Sequence, residues 1–335
     1  MYNIARLNDE DRNTIFSNYV FKYGSNIAIV EKDFWVCLVL DYLFHKSKYK
    51  DYFIFKGGTS LSKCFNIINR FSEDIDLIIR WDLLTDDNPD KTRSNRAQDI
   101  YNKNINMLAA DFIKNKLKPS MKSDFEQLLG KKVVFSIDEN DSQVLNFIYP
   151  RIYNDDESGI LKYVRLEIGP LAALTPVEYV EIEPLISSLD IKIFNNKKTM
   201  IKTVAPERTF WEKILILNQE AHRPSDKKMP LRYSRHYYDV YKISKTKYKE
   251  KAYSNLDLLK EVRDFKKKFY PVSWAKYDEA IPGRFTLIPS DERIKELKKD
   301  YENMKEMIND NSISFNDILI EIKKIEIELN LLPNK

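Results

Sequence analysis

Cysteine and histidine are scarce in this sequence. Its 335 residues contain two cysteines, Cys37 and Cys64, and three histidines, His45, His222 and His236. Two cysteines cannot build a disulfide framework or a cysteine-based zinc site, and small buried side chains are expected at both positions. The histidines are too scattered to predict a metal cluster. The sequence therefore excludes the disulfide-rich and zinc-finger classes.

Long hydrophobic runs and a strong charge of one sign are also missing. The longest apolar runs, such as residues 34–40, are far shorter than the roughly 20 residues that a membrane helix needs. Residues 1–13 carry mixed charges instead of a basic and then apolar leader, so we expect a cytoplasmic location. The net charge of +4 is too small to predict nucleic-acid binding by itself. Composition therefore indicates a globular protein without a membrane span.

Glycine is rare as well, with seven in the whole chain. The pair Gly57-Gly58 therefore marks a place where the backbone needs glycine. A strand-like run precedes it at residues 52–55, and apolar residues recur at helical spacing over residues 61–68. Alternating polar and apolar residues at 74–79 then indicate a strand. We expect a turn, a helix and a strand in this order.

The pattern of the chain changes near residue 204. Before this point strand-like runs lie between helices, one of which is predicted at residues 30–44 with Glu31-Lys32-Asp33 at its start. After Pro206, which is placed as the first residue of a helix, the pattern is helical. The sequence therefore predicts an α+β chain, with a mixed α/β lobe at residues 1–204 and an all-α lobe at residues 205–335.

Asp74 and Asp76 are the first candidates for chemistry. Residues two apart on a strand project from the same face, and two carboxylates side by side repel each other unless a cation lies between them. Mg²⁺ prefers such oxygen ligands together with substrate phosphates. One helix upstream, Gly58, Thr59 and Ser60 form a turn whose backbone and hydroxyl groups suit a phosphate. Together these features are the minimum set for phosphoryl or nucleotidyl transfer.

Glu167 is the candidate for a third metal-binding carboxylate, because it is an acidic residue on an otherwise apolar strand. A third carboxylate is expected where two metal ions support an in-line displacement. The alternative is structural: Glu167 would share a strand face with Arg165, two residues away, or pair with Lys162. The sequence leaves both interpretations open.

Two polar clusters lie in the helical half of the chain. Lys213, near Phe210 and Trp211, is either a solvated lysine or a cation for a triphosphate. Arg235 and Asp239 are neighbours at i,i+4 on a helix, so a simple salt bridge is the structural interpretation. The four tyrosines around them exceed what a salt bridge requires and are suited to stacking a base or bracing a cleft.

These segments resemble the AbiEii/AbiGii toxin family of nucleotidyltransferases, which belongs to the DNA polymerase β-like superfamily and includes the MenT toxins. The resemblance is carried by EKDFW at 31–35, FKGGTSL at 55–61, FSEDIDL at 71–77, WEK at 211–213 and RHYYDVY at 235–241. It continues through YD at 277–278, PG at 282–283 and DY at 300–301. The resemblance therefore spans most of the chain and implies a polymerase β-like nucleotidyltransferase lobe followed by a helical lobe.

The resemblance also implies roles for the candidate residues. Asp74 and Asp76 would bind Mg²⁺ or Mn²⁺, with Glu167 as a less fixed third ligand. The nucleotide would be bound by Gly58, Thr59, Ser60, Lys213 and Arg235. Asp239 would be essential, either because it orients or deprotonates the attacking hydroxyl or because it supports Lys213.

The function implied by the resemblance is that of a toxin in a type IV toxin–antitoxin or abortive-infection pair. Such an enzyme transfers NMP from an NTP to an RNA acceptor, in the MenT branch the 3′ end of tRNA, and releases pyrophosphate. Its partner would be a cognate antitoxin, often a winged-helix repressor. A surplus of five positive charges within residues 245–268 suits RNA, although a solvated helical face would look the same.

Two other functions stay open at this stage. The same site would serve transfer to a small molecule or a protein side chain, which needs no basic track. A catalytically silent nucleotide-binding module would bind metal and NTP without ever releasing pyrophosphate.

Overall fold

The structure is a computed structural model and describes residues 1–70, 72–153, 160–192, 194, 197–308 and 312–333. Phe71, part of the FSEDIDL motif, lies outside the described residues. The chain forms two compact units. The sheet unit comprises Met1–Cys64 and Glu73–Thr203, and the helical unit comprises Phe65–Ser72 and Val204–Lys335. Unlike the predicted lobes, this division places the short segment after Cys64 with the second half of the chain.

The described residues of the sheet unit contain a seven-stranded mixed sheet with the order β3-β4-β5-β2-β1-β7-β6. The central strand β2 pairs antiparallel with β1 and parallel with β5. The predicted α+β fold class is confirmed, because the strands expected from alternation all join this sheet. The strands are β1 (Phe53–Lys56), β2 (Ile75–Ile79), β3 (Val134–Ile137), β4 (Val144–Ile148), β5 (Val164–Gly169), β6 (Val177–Ile182) and β7 (Thr199–Val204).

Helices of the sheet unit pack their apolar residues into a core with the strands. They are α1 (Tyr2–Arg6), α2 (Asp9–Tyr23), α3 (Ile27–Asp41), α4 (Gly57–Lys63), α5 (Asn95–Phe112) and α6 (Lys118–Leu129). Helix α3 begins before the predicted start, because the Asn26 side chain accepts a hydrogen bond from the Ala28 amide at 2.8 Å and caps the helix there. Glu31 and Lys32 therefore lie inside α3 and are buried.

Helix α4 is shorter than its apolar spacing predicted. It begins at Gly57 itself and ends at Lys63, where the prediction extended to residue 68. The chain leaves the helix because Asn66 adopts a left-handed conformation with φ of 50°. The remaining apolar residues of the stripe, including Ile67 and Ile68, are buried without being helical.

The described part of the helical unit is helical, as the pattern after Pro206 predicted, and Pro206 is the first residue of its helix. The helix at Lys247–Tyr253 was not predicted. No helix in the described part of the chain is long and apolar enough to span a membrane. The helices are α7 (Pro206–Ala221), α8 (Arg235–Ser244), α9 (Lys247–Tyr253), α10 (Leu256–Phe269), α11 (Asp291–Asn303) and α12 (Phe315–Leu331).

Candidate active site

Charged side chains form a row across three neighbouring strands of the sheet. Lys56, the last residue of β1, is paired with Asp76 of β2, and Asp76 is paired with Glu167 of β5. Paired positions on adjacent strands project from the same face of a sheet. Asp74, two residues before Asp76, projects from that face as well. The structure thus brings together the three carboxylates that the sequence singled out.

The backbone of Gly57 lies directly against the Asp76 carboxylate. A Cβ atom added at Gly57 would be 1.9 Å from Asp76 Oδ2, and the φ of Gly57 is +82°. The contact leaves no room for a side chain, and the positive φ favours glycine as well. The Gly-Gly motif and the aspartate pair are therefore one structural feature, joined by a close approach of backbone to carboxylate.

Asp74 carries an unfavourable negative charge in the metal-free protein. Burial raises its pKa to about 6, and the neighbouring charges of Glu167 and Glu73 add to this effect. Its Oδ1 atom is buried without a hydrogen-bond partner among the described residues. A buried oxygen without a partner, next to other carboxylates, is the chemistry that fits a hard divalent cation.

Glu167 is held away from such a role by a salt bridge. Arg165 Nε donates to Glu167 Oε1 at 2.9 Å, and Arg165 also pairs with Asp138 at 2.7 Å. This is the structural alternative that the sequence left open. Within the described residues, no three His, Cys, Asp or Glu side chains converge as a complete metal site. Asp74 and Asp76 fit a cation as a pair, whereas Glu167 would first have to release Arg165.

Thr59 and Ser60 lie in the first turn of α4 and are both buried. The Ser60 hydroxyl donates to the Gly57 carbonyl at 2.9 Å, so its proton is used within the helix. A cleft of about 160 Å³ opens beside the row, and its lining includes Lys56, Asp76 and Glu167. One space that could take a ligand in the sheet unit therefore lies next to the carboxylates.

The helical unit contains a second charged cluster, centred on Asp239 in α8. Arg70 donates two hydrogen bonds to its carboxylate, at 2.8 and 2.9 Å, and Lys213 Nζ of α7 lies 2.8 Å from Oδ2. Asp239 is 0% exposed. Although burial favours the neutral acid, the charges of Arg70 and Lys213 outweigh it and hold the pKa of Asp239 well below its usual value. Asp239 is therefore a buried anion and a poor proton acceptor.

His236 lies beside Lys213, with 3.5 Å between its Nδ1 and the Lys213 Nζ. Burial, together with the charges of Lys213 and Arg235, lowers the pKa of His236 well below its usual value. The ring is therefore neutral near pH 7. Burial also lowers the pKa of Lys213, and the Asp239 charge opposes that shift. Lys213 is thus oriented by an anion on one side and a neutral ring on the other.

Arg235 and Asp239 do not occupy the same surroundings, although they are four residues apart on α8. Arg235 is exposed, whereas the Asp239 carboxylate is turned toward Arg70 and Lys213. The beginning of α8 is fixed by Asp300 of α11, which accepts hydrogen bonds from the Arg232 and Ser234 amides at 2.7 and 2.9 Å. Asp300 therefore positions the helix that carries this cluster.

Sequence reasoning missed Arg70 and Lys32. Arg70 precedes the aspartate motif and gave no signal, because only the tertiary structure brings it to Asp239. Lys32 is a buried partner of Glu73 and also donates to the Leu161 carbonyl at 2.9 Å, which fixes the residue next to Asp74. Its position in the EKDFW motif was the available signal, but the motif was interpreted as the start of a helix.

The sequence of residues 40–321 matches the model of the nucleotidyl transferase AbiEii toxin family of type IV toxin–antitoxin systems. The chain belongs to the AbiEii family. The predicted family is thereby confirmed, and the protein is a nucleotidyltransferase of a toxin family. As an AbiEii protein it uses an NTP, and its family of type IV toxin–antitoxin toxins implies an antitoxin partner.

Two solved structures resemble this AbiEii chain in fold. JHP933 from Helicobacter pylori is 13% identical, with 90% of this chain and 92% of that chain covered and a TM-score of 0.43. MenT4, a nucleotidyltransferase toxin from Mycobacterium tuberculosis H37Rv, is 13% identical, with 98% and 100% covered and a TM-score of 0.40. Comparison with curated proteins gives no match. The family assignment rests on the sequence match.

We expect Gly57→Ala to inactivate the AbiEii protein, because its Cβ would displace the Asp76 carboxylate. A displacement of about 1 Å at a catalytic group is sufficient to lower a rate by about a hundredfold. The control is Gly130→Ala, which has a similar φ of +68° but places its Cβ in open space. Nucleotidyl transfer from NTP measures the loss of activity, and urea unfolding measures any loss of stability. Equal activity of both variants would show that the contact with Asp76 is unimportant.

We expect Asp74 to make the metal-free protein less stable as the pH rises from about 4 to about 6. The folded protein binds the Asp74 proton more tightly than the unfolded chain does, because the pKa is raised from 3.8 to about 6. Asp74→Asn removes this loss, so the variant should exceed the wild type by about 1–3 kcal/mol above pH 6. Thermal unfolding in EDTA across this range measures the difference.

The control for this pH series is Asp99→Asn, which changes an exposed aspartate of α5. It should follow the wild-type curve. A pH-independent difference between Asp74→Asn and the wild type would refute the assigned pKa. Addition of Mg²⁺ at pH 7 should raise the unfolding temperature of the wild type more than that of Asp74→Asn.

We expect Asp239→Asn to destabilise the protein by about 3–5 kcal/mol, because it leaves Arg70 and Lys213 buried without their anion. The control is Asp278→Asn, which breaks an exposed pair with Lys267 at 2.6 Å. That change should cost less than about 1 kcal/mol. Chemical denaturation measures both variants. If both had the same stability as the wild type, the buried cluster would not contribute to folding.

Proposed function

We propose that this protein is a metal-dependent nucleotidyltransferase toxin that transfers NMP from an NTP to an RNA acceptor, the 3′ end of tRNA. The observation that carries the proposal is the fit of Gly57 against Asp76, within a row that includes Asp74 and Glu167. That arrangement unites the backbone motif with the acidic residues that nucleotidyl transfer requires. The family assignment supplies the reaction class.

The proposed reaction is an in-line displacement at the α-phosphorus of the NTP. The acceptor hydroxyl loses its proton to water as its oxygen forms a new bond to this phosphorus, the bond from the phosphorus to the oxygen that bridges to the β-phosphate breaks, and pyrophosphate leaves. Asp74 and Asp76 would hold Mg²⁺ or Mn²⁺, which when bound supplies Lewis-acid stabilisation of the phosphoryl oxygens. Glu167 joins them only if its bond to Arg165 opens. Gly58, Thr59 and Ser60 contribute the turn against which the nucleotide phosphates lie.

In the helical unit we assign the substrate contact to Lys213 and a supporting role to Asp239. Asp239 is buried, paired with two cations and a poor proton acceptor, which favours support of Lys213 over deprotonation of the attacking hydroxyl. Lys213, with its charge oriented by Asp239 and His236, suits the NTP phosphates. Arg235 is exposed and is proposed as an additional nucleotide contact.

The proposed RNA surface lies on α9 and α10. Lys245, Lys249 and Lys267 are neutralised by Glu321, Glu328 and Asp278. Lys247 and Lys251 are exposed on one side of α9, about one turn apart, with their ammonium groups over the Tyr248 ring. These two exposed lysines beside Tyr248 are the proposed contact to RNA phosphates. We also propose that the protein acts in the cytoplasm, where tRNA and NTPs are present, and is neutralised by a cognate antitoxin with a winged-helix repressor as the candidate class.

The test is transfer of label from each α-labelled NTP to total bacterial RNA in the presence of Mg²⁺, by the wild type and by Asp74→Ala. We expect label in a tRNA-sized band with one preferred NTP and only with the wild type. Expression of the wild type should arrest growth, and expression of Asp74→Ala should not. The control is Asp99→Asn, which changes an exposed residue of α5 outside the carboxylate row. It should label RNA and arrest growth as the wild type does.

Other outcomes of this assay would redirect the proposal. Label on protein or on a small molecule, with none on RNA, would replace the RNA acceptor with a different one. Binding of NTP without pyrophosphate release under every condition would identify a silent module. Equal labelling by Asp74→Ala would exclude the carboxylate pair from catalysis.

We expect charge reversal at Lys247 and Lys251 to weaken use of RNA by about tenfold and to reduce the salt dependence of RNA binding. The matched control reverses Lys295 and Lys299, an exposed pair with the same spacing on α11. Filter binding at several salt concentrations and the KM for RNA measure the effect. Equal losses in both double variants would mean that α9 is no specific RNA surface.

A further inference from the structure

Lys56 is the one positive residue of the row formed with Asp76 and Glu167, and neither the sequence motifs nor the proposed function gives it a role. It ends β1 directly before Gly57 and is half-buried, while the three strand residues before it are buried. Its position opposite Asp76 places its side chain on the face that carries the carboxylates. Lys56 also lines the cleft of about 160 Å³ together with Asp76 and Glu167.

The Lys56 ammonium makes no hydrogen bond or ion pair with the described part of the chain. The nearby Glu167 carboxylate is paired with Arg165 at 2.9 Å, so its charge is already balanced by another cation. Lysine in a half-buried cleft loses side-chain entropy and some hydration. No carboxylate of the described residues forms an ion pair with the Lys56 ammonium, although Asp76, Asp141 and Glu167 line the same cleft. An anion supplied by a ligand would form that pair.

We propose that Lys56 is a substrate-binding residue that pairs with phosphate oxygens in the cleft beside Asp76 and Glu167. The inference rests on the proposed function and adds a residue to it. The carboxylates of the row exclude a simple anion, because they would repel it. A phosphate that binds together with a divalent cation would not be repelled. The cation would face the carboxylates, and the remaining phosphate oxygens would face Lys56.

Two substrates carry such phosphate groups, the NTP and the terminal nucleotide of the acceptor RNA. The experiment separates them with two variants. Lys56→Met keeps an unbranched side chain as far as Cε and removes the ammonium, and Lys56→Arg keeps the charge. The control is Lys50→Met, which removes an exposed charge just before β1 and outside the cleft. Each protein is titrated calorimetrically with the α,β-methylene analogues of the four NTPs and Mg²⁺, which bind without transfer.

We expect Lys56→Met to weaken binding of the preferred analogue by about tenfold, the effect of losing one charge-assisted hydrogen bond. Lys56→Arg should retain most of the affinity, and Lys50→Met should bind as the wild type does. Thermal unfolding of Lys56→Met should match the wild type, because its ammonium has no protein partner to lose. This separates a substrate contact from a structural role.

The KM values identify which phosphate Lys56 contacts. A raised KM for the NTP with weakened analogue binding assigns the triphosphate. A raised KM for the RNA with unchanged analogue binding assigns the acceptor phosphate. Unchanged analogue affinity together with unchanged KM values for both substrates would overturn the inference while leaving the proposed function intact. A wild type that neither binds the analogues nor transfers nucleotide would overturn both.

Discussion

The closeness of the Gly57 backbone to the Asp76 carboxylate is the constraint on which the sheet unit depends. With only a hydrogen on the Cα atom, β1 passes into α4 directly beside β2, and the first turn of α4 lies next to the carboxylates. Any side chain at this position would push Asp76 out of the row. One glycine thus connects a strand pairing, a helix start and the acidic residues. The candidate site therefore lies where β1 passes directly into α4.

Asp74 of the sheet unit carries negative charge that no ion pair within the described residues neutralises, as is typical of a carboxylate at a metal-binding site. Asp74 has a raised pKa and a buried oxygen without a partner, so its ionisation costs folding free energy until a cation is bound. In the helical unit, by contrast, the buried charge of Asp239 is neutralised by ion pairs with Arg70 and Lys213. The first arrangement suits a ligand site and the second suits the orientation of a cation.

Much of the fold and of the sheet unit's site was predictable. Alternation identified the strand of Asp76, and the rarity of glycine identified Gly57, because both signals are local. The length of α4 was not predictable, since the apolar stripe continues past the left-handed Asn66. The start of α3 was missed because two segments suit a helix start. Asn26 is a good capping residue, but Glu31 and Asp33 equally suit a first turn. The assigned roles of all the candidate residues, in the sheet unit as well as in the helical unit, remain predictions.

The sequence by itself determined the family, the fold class and the residue types available for nucleotidyl transfer, because motifs of fixed spacing and residue periodicity are local properties of the chain. Only the tertiary structure decided the partners. It brought Arg70 to Asp239 across 169 positions of sequence, and it placed Lys56 in the row. It also selected the pair with Arg165 from the two interpretations of Glu167 that the sequence left open. These pairings depend on strand order and on burial, which fix how far a charge lies from its partner and how strongly the two interact.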